Sequence, residues 1–330
     1  MLTAVIKKLI KREDLTTQEC QQALETILSL ENPEQIAAFL VLMRAKGEKA
    51  SEISAFVKQM QKHQRNVHLD FPVMDIVGTG GDQANTANIS TTASILAASC
   101  GVPILKHGNR AVSSQAGSAD VLQALGLTLE KTPEQVADCV KSQGIGFCFA
   151  PVFHPLLLSL KPIRNALKVP TFLNLLGPLL NPGQAQFMLL GVFDLQIQSL
   201  MADILVQLGV ERGMVVHGSG LDELNCLGPC DVIEITGHTQ KKYRLDPSEL
   251  GLPICQLNDL IGGSAAQNAL LLEEIISNKP SHLANTAILN AGAAVYIYGK
   301  ASNILEGMNI VRENIANGHA KQTLERFIHA

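Results

Sequence analysis

Hydrophobic positions follow a helical period through the first part of the chain. The stretch "LTAVIKKLI" repeats apolar residues every three or four positions, and a second amphipathic helix is predicted from about Thr17. Asn32 can cap a third helix, Pro33 suits its first position, and Gly47 marks its stop. "SEISAFVKQMQKH" predicts a fourth helix. The pattern therefore predicts a helical domain over residues 1–65.

After "QRNVHLDFP" the pattern changes to short apolar runs that alternate with helical segments. The run Val73 to Val77 predicts the first strand, and "VPILKHG", "GIGFCFA", "QFMLLGVF" and "GMVVHG" predict further strands. Strands alternating with helices over residues 73–330 predict an α/β domain with a mostly parallel sheet. "DVIEIT" followed by "TQKKYRL" predicts an antiparallel pair at one edge. Ligands of such sheets bind outside the carboxyl ends of the strands.

The segment "KPIRNALKVPTFLNLLGPLLNPGQ" departs from both patterns. Its four prolines and its paired leucines predict short helices broken by turns. We expect the helices of about residues 160–182 to return and pack on the amino-terminal helical domain.

Composition and charge exclude several classes of protein. The 330 residues are 46% hydrophobic and 17% charged, as in an ordinary globular protein. The net charge of −4 gives no basic field for nucleic acid or an anionic membrane, so an anion site must be built locally. No run of about 18 apolar residues predicts a transmembrane helix. The seven scattered cysteines indicate reduced thiols and a cytoplasmic protein.

The loop "VGTGGDQANTANISTT" has the features of an anion site. Three glycines in residues 78–81 let the backbone approach a ligand with its N–H groups. Asn88, Ser90 and Thr91 stand where the next helix begins and add capping groups to the positive end of its dipole. A tight strand-to-helix turn is the alternative that needs no ligand. The loop carries no lysine of its own.

Two familiar phosphate loops are excluded by one residue. Gln83 stands where both the dinucleotide fingerprint and the nucleoside triphosphate loop require glycine. Asp82 would repel a simple phosphate unless it accepts a hydroxyl or faces a metal ion. A sugar phosphate, with hydroxyls beside its anionic groups, accounts for this carboxylate.

The cation that the first loop lacks follows the next predicted strand. "VPILKHGNRAVSSQAGSADVLQALG" places Lys106 and His107 at the end of that strand, followed by a second loop rich in serine and glycine. Singly, Lys106 would be a solvated lysine and His107 a loop histidine. Their position at the same edge of the sheet as the first loop favours one shared anion site.

These motifs occur together in one enzyme family. "VGTGGD" with "TANIST", "KHGNRAVSSQAGSADVLQALG", "GFCFAPVFHP", "NLLGPLLNP" and "GLDELN" resemble, in this order, the motifs of the anthranilate phosphoribosyltransferase family. The resemblance covers nearly the whole chain. It implies the nucleoside phosphorylase type of fold, with a small helical domain, a large α/β domain and an active-site cleft between them.

The resemblance implies a magnesium-dependent transfer of a phosphoribosyl group. The donor is phosphoribosyl pyrophosphate (PRPP), the acceptor is the amine of anthranilate, and pyrophosphate leaves. Because the leaving group gains negative charge, catalysis should come mainly from holding and neutralising it. The aromatic amine is already a nucleophile, so no strong protein base is expected.

The resemblance also implies the site residues. The PRPP residues are Gly78, Thr79, Gly80, Gly81, Asp82, Thr86, Asn88, Ile89, Ser90 and Thr91 in the first loop, and Lys106, His107, Gly108, Asn109, Arg110, Ala111, Val112, Ser113, Ser114 and Ser118 in the second. The anthranilate residues are Gly78, His107, Asn109, His154 and Arg164. Two magnesium ions per subunit are implied, with Ser90 on one and Asp222 and Glu223 on the other.

Some residues keep two readings or depart from the family. His154 either shapes the aromatic pocket or is a turn residue between two prolines. Ala87 replaces the usual phenylalanine, Gln83 replaces a common glycine, and the "HGSGLDEL" loop is one residue shorter. Cys226 and Cys230 have no matching ligand pair and are interpreted as structural.

Two rival functions remain in view. A pyrimidine nucleoside phosphorylase has the same type of fold, but it uses inorganic phosphate and would not need the Asp222 and Glu223 metal pair. A nucleic-acid-binding relative should show a basic groove, whereas this chain is slightly acidic. The family implies a homodimer formed through the helical domain, which agrees with the nearly continuous apolar run "AAFLVLM".

Overall fold

The computed structural model describes residues 2–82, 84–111 and 115–330. Its α-helices are α1 Leu2–Ile10, α2 Thr17–Leu28, α3 Pro33–Lys46, α4 Ala50–Met60, α5 Ile89–Ser99, α6 Ser118–Ala124, α7 Pro133–Gln143, α8 Ala150–Phe153, α9 Pro155–Ser159, α10 Lys161–Leu167, α11 Leu173–Leu176, α12 Gln198–Leu208, α13 Ala265–Ile276, α14 His282–Ile297, α15 Ile304–Ala316 and α16 His319–Ile328. Short 3-10 helices span Gly177–Leu179, Leu195–Ile197, Pro247–Leu250 and Leu257–Leu260.

In the described part of the chain, seven strands form a single sheet. They are β1 Met74–Gly78, β2 Ile104–Gly108, β3 Ile145–Phe149, β4 Phe187–Gly191, β5 Arg212–His217, β6 Cys230–Thr236 and β7 Thr239–Leu245. The strand order is β3-β2-β1-β4-β5-β6-β7. The first five strands pair in parallel, and β6 and β7 complete an antiparallel edge, as the sequence predicts.

The chain reverses direction across the sheet at β1. Strands β2 and β3 extend to one side of β1, whereas β4 returns to its other side. Such a reversal opens a crevice at the carboxyl ends of the two central strands, where open α/β sheets bind their ligands. Gly78 of β1 and Gly191 of β4 lie directly opposite each other at this point. The topology therefore directs the search for a site to the β1 and β4 ends.

Helices cover both faces of the sheet. One face packs on α5, α6 and α13–α16 around residues such as Ile76, Met214 and Val216. The other face carries Leu105, Leu190 and Val215, and its core continues without interruption into the helices α1–α4. Apolar residues on both faces of the parallel strands account for their unbroken hydrophobic runs.

The amino-terminal helices begin and end at local signals. Thr16 and Glu19 form a reciprocal capping box at the start of α2, and Gly47 ends α3 at a positive φ of 89°. Asn32 lies at the N-cap position of α3, but its side chain makes no capping hydrogen bond. The expected side-chain cap is therefore wrong at this helix, where Pro33 marks the start instead.

The proline-rich segment forms the short helices α10 and α11, with turns between them. The Phe172 ring, fully buried, stacks on Phe56 of α4 at a centroid distance of 4.6 Å and meets Phe39 of α3 edge-on at 6.2 Å. Helix α10 also contacts α3. The segment thus packs on α3 and α4, while its other end reaches the sheet at Asn181.

Among residues 2–82, 84–111 and 115–330, no helix combines the length and the hydrophobicity that a bilayer crossing requires.

Candidate active site

The glycine loop leaves β1 at the switch point of the sheet. Gly80 and Gly81 adopt positive φ angles of 66° and 94°, which favour glycine. A Cβ added to Gly78 would lie 2.0 Å from Oδ2 of Asp222, so a side chain at this position cannot coexist with the observed carboxylate. The ring of Phe193 lies beside Gly81. Close packing, as well as backbone conformation, therefore requires glycine here.

Asp222 connects the loop after β5 with the glycine loop. Its Oδ2 accepts a hydrogen bond from the Gly80 N–H at 2.7 Å, and its backbone carbonyl occupies the space where a Gly191 side chain would lie. Burial raises the pKa of Asp222 to about 6, although the Gly80 N–H partly opposes this. The Gly80 amide is thus oriented towards an anionic oxygen.

A second carboxylate lies beside Asp222. Oε2 of Glu223 is buried and has no hydrogen-bond partner in the described part of the chain. Burial raises the pKa of Glu223 well above its usual value, and the negative charges of Asp222 and Asp82 raise it further. Burial also raises the pKa of Asp82. Three crowded carboxyl groups favour a bound cation.

The protein supplies only part of a metal coordination sphere. Of the residues that the structure describes, no three or more His, Cys, Asp or Glu residues form a metal-binding group. Asp222 and Glu223 offer oxygen ligands of the kind that hard divalent cations prefer, and such cations are often held by two carboxylates together with substrate phosphates and water. The donor set therefore fits an ion that binds together with an anionic substrate.

Lys106 lies in the crevice and is the only buried lysine there among the described residues. Its ammonium group donates to the Ile76 carbonyl at 2.6 Å and to Ser90 Oγ at 3.5 Å. Burial lowers the pKa of Lys106, whereas the carboxylates of Asp75, Glu223 and Asp222 raise it. Lys106 thus lies between the sheet and the start of α5.

The remaining residues of the first loop are mainly held by other elements. Thr79 donates its N–H to the Gly191 carbonyl, and Thr86 forms an antiparallel bridge with Ile261. Asn88 lies at the N-cap of α5, but its side chain donates to the Ala116 carbonyl at 3.1 Å instead of capping the helix. Ile89, Ser90 and Thr91 lie inside the first turn of α5. The expected side-chain capping at this helix is wrong.

The second loop is organised around Asp120. This carboxylate accepts from the backbone N–H groups of Ala111 and Gly117 at 2.9 Å each, and from Arg110 at 2.9 Å. The Arg110 guanidinium also lies 5.5 Å from the centre of the Phe149 ring. Arg110 is therefore engaged within the protein.

The ends of this loop are close together. Ser118 Oγ donates to the Asn109 carbonyl at 3.4 Å and lies where a Gly108 side chain would be. Val112, Ser113 and Ser114, together with Gln83 of the first loop, lie outside the described residues.

Two residues that are predicted to bind the acceptor substrate, anthranilate, pack against each other. The rings of His107 and His154 are 5.0 Å apart and edge-on. His107 Nδ1 lies 3.0 Å from the Gly177 carbonyl oxygen, and His154 Nε2 lies 2.8 Å from that of Leu180. Burial lowers the pKa of His107 to about 3 and that of His154 to about 4, so both rings are neutral at pH 7.

Two of the other three acceptor-site candidates, Arg164 and Asn109, make no hydrogen bond to this histidine pair among the described residues. Arg164 belongs to α10, is half-buried, and makes no hydrogen bond to Asn109 or to either histidine among the described residues. Burial lowers the pKa of Arg164. Asn109 is exposed, and its Oδ1 accepts from the Arg110 backbone N–H at 2.8 Å.

Two polar residues behind the site were missed from the sequence. Asp75 is fully buried in β1, and burial raises its pKa to about 6. Asn181 donates to Asp75 Oδ2 at 2.8 Å and to the Leu105 carbonyl at 2.6 Å. The available signal was a charged residue inside the apolar run "VMDIV", which is costly without a partner.

The cysteines of the "CLGPC" stretch are buried and free. Cys226 and Cys230 form no disulfide, and Cys230 donates weakly to the carbonyl of Asn225. Burial raises the pKa values of both thiols, so they are inert at pH 7. Cys230 thus stabilises the loop that follows Asp222 and Glu223, and both cysteines agree with a structural interpretation.

Comparison with known proteins gives consistent matches along the chain. Residues 3–64 match the family model described as the helical bundle domain of a glycosyl transferase family, and residues 70–321 match the model of its a/b domain. Anthranilate phosphoribosyltransferase of Chlamydia felis is 43% identical over 329 residues, covering 99% of this chain and 96% of the relative. The enzyme of Rubrobacter xylanophilus is 42% identical, covering 99% and 97%.

Solved structures agree with these matches. The anthranilate phosphoribosyltransferase of Thermus thermophilus superposes with a TM-score of 0.92 at 42% identity, covering 98% of each chain. The Saccharomyces cerevisiae enzyme, solved in complex with PRPP and Mg, gives a TM-score of 0.92 at 29% identity, covering 99% and 97%. The helical bundle, the mostly parallel sheet and the strand-end loops thus place this chain in the glycosyl transferase family of these two models, as a member of the anthranilate phosphoribosyltransferases.

Proposed function

We propose that this chain transfers the phosphoribosyl group of PRPP to the amine of anthranilate, with release of pyrophosphate, in tryptophan biosynthesis. The observation that carries the proposal is the contact between Asp222 and the Gly80 N–H at the switch point of the sheet. It joins an amide-lined loop to a carboxylate pair, as binding of a metal–pyrophosphate group requires. The relatives found by sequence carry the name of this activity.

The chemistry requires stabilisation of a leaving group more than activation of a nucleophile. Cleavage of the bond between C1 and oxygen places negative charge on pyrophosphate and positive charge on the ribose ring. Lys106 and the amino end of α5 would neutralise the phosphoryl oxygens. Asp82 would accept from a ribose hydroxyl. No protein group needs to remove a proton before the aromatic amine attacks.

A divalent cation fits the carboxylates of the crevice. Glu223 Oε2 is buried without a partner in the described part of the chain, and burial together with neighbouring negative charges raises its pKa. We assign magnesium, because a relative is solved in complex with PRPP and Mg. We propose two ions per subunit, one on Ser90 and one on Asp222 and Glu223. Bound magnesium supplies positive charge to the leaving pyrophosphate.

The two loops would share the PRPP contacts. We propose the first-loop residues Gly78 to Asp82 with Thr86 and Asn88 to Thr91, and the second-loop residues Lys106 to Ser114 with Ser118. Arg110 is already bonded to Asp120, but a guanidinium has five N–H donors and retains some for a phosphate.

The acceptor pocket is proposed around the two buried histidines. His107 and His154 form an edge-on aromatic pair that suits a flat ring. Gly78 and Asn109 would complete the pocket beside the loops. Arg164 would bind the anthranilate carboxylate, since a guanidinium is the natural partner of a carboxylate.

We further propose a cytoplasmic homodimer. Ile10 of α1 and Val41 of α3 are exposed apolar side chains on the helical bundle, and a partner chain would cover them. All seven cysteines are free, as expected in a reducing compartment. Sedimentation analysis would test the pairing: a monomer at micromolar concentration contradicts it.

The activity is tested by following anthranilate fluorescence with PRPP and Mg²⁺. We expect fluorescence to fall with time and the phosphoribosyl amine to appear by mass spectrometry. A parallel incubation of uridine or thymidine with inorganic phosphate tests the phosphorylase alternative. Phosphorolysis without any loss of anthranilate would overturn the proposal.

A further inference from the structure

The segment Gly177–Asn181 links the two acceptor histidines to the sheet. The Gly177 carbonyl faces Nδ1 of His107 at 3.0 Å, and the Leu180 carbonyl faces Nε2 of His154 at 2.8 Å. The segment lies in the loop region before β4 and contains the 3-10 helix Gly177–Leu179. The position of these two carbonyls therefore controls both rings.

The hydrogen bonds define which ring nitrogen carries the proton. A carbonyl oxygen can only accept, so Nδ1 of His107 and Nε2 of His154 must both be N–H donors. The low pKa values of both rings exclude a second proton at pH 7. The two histidines therefore hold opposite tautomers. The other ring nitrogens, His107 Nε2 and His154 Nδ1, are buried acceptors without a partner in the described part of the chain.

Asn181 anchors the segment that presents these carbonyls. Its amide nitrogen donates to Asp75 Oδ2 at 2.8 Å and to the Leu105 carbonyl at 2.6 Å, and its Oδ1 accepts from the Gly183 N–H at 2.9 Å. The amide nitrogen of Asn181 thus joins the segment to β1 and to β2. Asn181 and Asp75 are both buried, and a hydrogen bond in the protein interior is stronger than one exposed to water.

Asp75 extends this anchor to His107 itself. Its two carboxylate oxygens lie 3.4 Å from the His107 backbone nitrogen, which donates to them from β2. His107 is therefore held at its backbone through Asp75 and at its ring through Gly177. The bond between Asn181 and Asp75 connects these two restraints.

We propose that Asn181 is a positioning residue of the acceptor pocket, which holds His107 and His154 in opposite tautomers through its bond to Asp75. The proposal rests on the proposed function, because it takes the pocket to bind anthranilate. The two bare ring nitrogens are then fixed as acceptors for the N–H groups of an arylamine. An apolar residue at 181 would leave Asp75 and the Leu105 carbonyl without their donor.

Substitutions separate this role from general stability. Asn181→Ala and Asp75→Ala break the link, and we expect each to raise KM for anthranilate about tenfold or more, by a larger factor than it raises KM for PRPP. Asp75→Asn keeps an acceptor for Asn181 and should restore KM for anthranilate to within about threefold of wild type.

Gln198→Ala is the matched control. Gln198 is also a buried amide, and it donates to the carbonyls of Val215 and Asp231 at 3.0 and 2.9 Å, away from the pocket. We expect this variant to lower the melting temperature as Asn181→Ala does but to keep the wild-type KM for anthranilate. A KM for anthranilate within twofold of wild type in Asn181→Ala overturns the proposal.

Nitrogen-15 NMR of labelled histidine tests the wild-type chain directly. We expect His107 in the Nδ1–H form and His154 in the Nε2–H form, and mixed tautomers of His107 in folded Asn181→Ala. Wild-type His107 in the Nε2–H form overturns the inference even if the variants do not fold. An inactive wild type with these tautomers would instead refute the proposed function.

Discussion

A single methyl group at Gly78 probes the fit between the glycine loop and Asp222. The Cβ of Gly78→Ala would lie 2.0 Å from Asp222 Oδ2 and 2.6 Å from its Cγ. Ordinary contacts between such atoms are about 3.5 Å, so the carboxylate must move by more than about 1 Å. That movement breaks the 2.7 Å hydrogen bond from the Gly80 N–H. The substitution therefore displaces one proposed metal ligand without removing it.

Two separate losses follow from this displacement. Overpacking of a buried position lowers the free energy of unfolding by about 1–3 kcal/mol, which a domain of this size tolerates. A misplacement of about 1 Å in a catalytic group lowers turnover about 100-fold. We expect Gly78→Ala to fold, to lose about 100-fold in kcat/KM for PRPP, and to need more Mg²⁺ for half-maximal turnover.

The assay follows anthranilate fluorescence at several Mg²⁺ concentrations. Gly228→Ala is the matched control, because its added Cβ would lie 3.9 Å from the nearest atom, Ser219 Oγ, in the same loop region. We expect this control to keep wild-type turnover. Wild-type kcat/KM and unchanged Mg²⁺ dependence in Gly78→Ala would refute the assignment of Asp222 to the metal site.

Three further predictions concern the core, the cation and the buried acid. Phe172→Ala should lower the free energy of unfolding by about 3–5 kcal/mol in a urea titration, since Phe172 is fully buried against Phe56; a loss below about 1 kcal/mol contradicts this. Lys106→Met should weaken PRPP binding about 100-fold by calorimetry, because a buried charge-assisted partner is lost; affinity within about threefold of wild type would refute its role. Burial raises the pKa of Asp75 from 3.8 to about 6, so the folded chain binds more protons between these pH values. The stability that this proton provides is full below about pH 4 and lost as pH rises through about 6. The free energy of unfolding of wild type relative to Asp75→Asn should thus fall by about 3 kcal/mol from pH 4 to 7, and a pH-independent difference in denaturant titrations would contradict it.

The architecture could be predicted because the spacing of hydrophobic residues differs between the helical domain and the α/β domain. Helical spacing in the first part and short apolar runs from Val73 onward distinguish the bundle from the α/β region, and the hairpin of β6 and β7 follows from its turn. Local capping was less predictable. Asn32 and Asn88 lie at helix starts but do not cap them, since the Asn88 side chain bonds to Ala116 and Asn268 from distant segments.

The meeting of the two loops at one edge of the sheet could be predicted, but the individual contacts between distant segments could not. Lys106 and Ser90 meet because their strand and helix share an edge of the sheet. The contact of Asp222 with Gly80 joins residues 142 positions apart, and the bond of Asn181 with Asp75 joins residues 106 apart. Such pairings depend on strand order, which periodicity does not specify. Arg110 illustrates the converse, because its partner Asp120 is near in sequence but was not recognised.

The most direct test of this account is calorimetric titration of PRPP into wild type and into the double variant Asp222→Ala/Glu223→Ala, with and without Mg²⁺. Removing two buried carboxylates of raised pKa should leave the fold intact, which a melting curve checks. The account predicts that Mg²⁺ strengthens PRPP binding to wild type and has little effect on the double variant. Equal strengthening by Mg²⁺ in both proteins would contradict it.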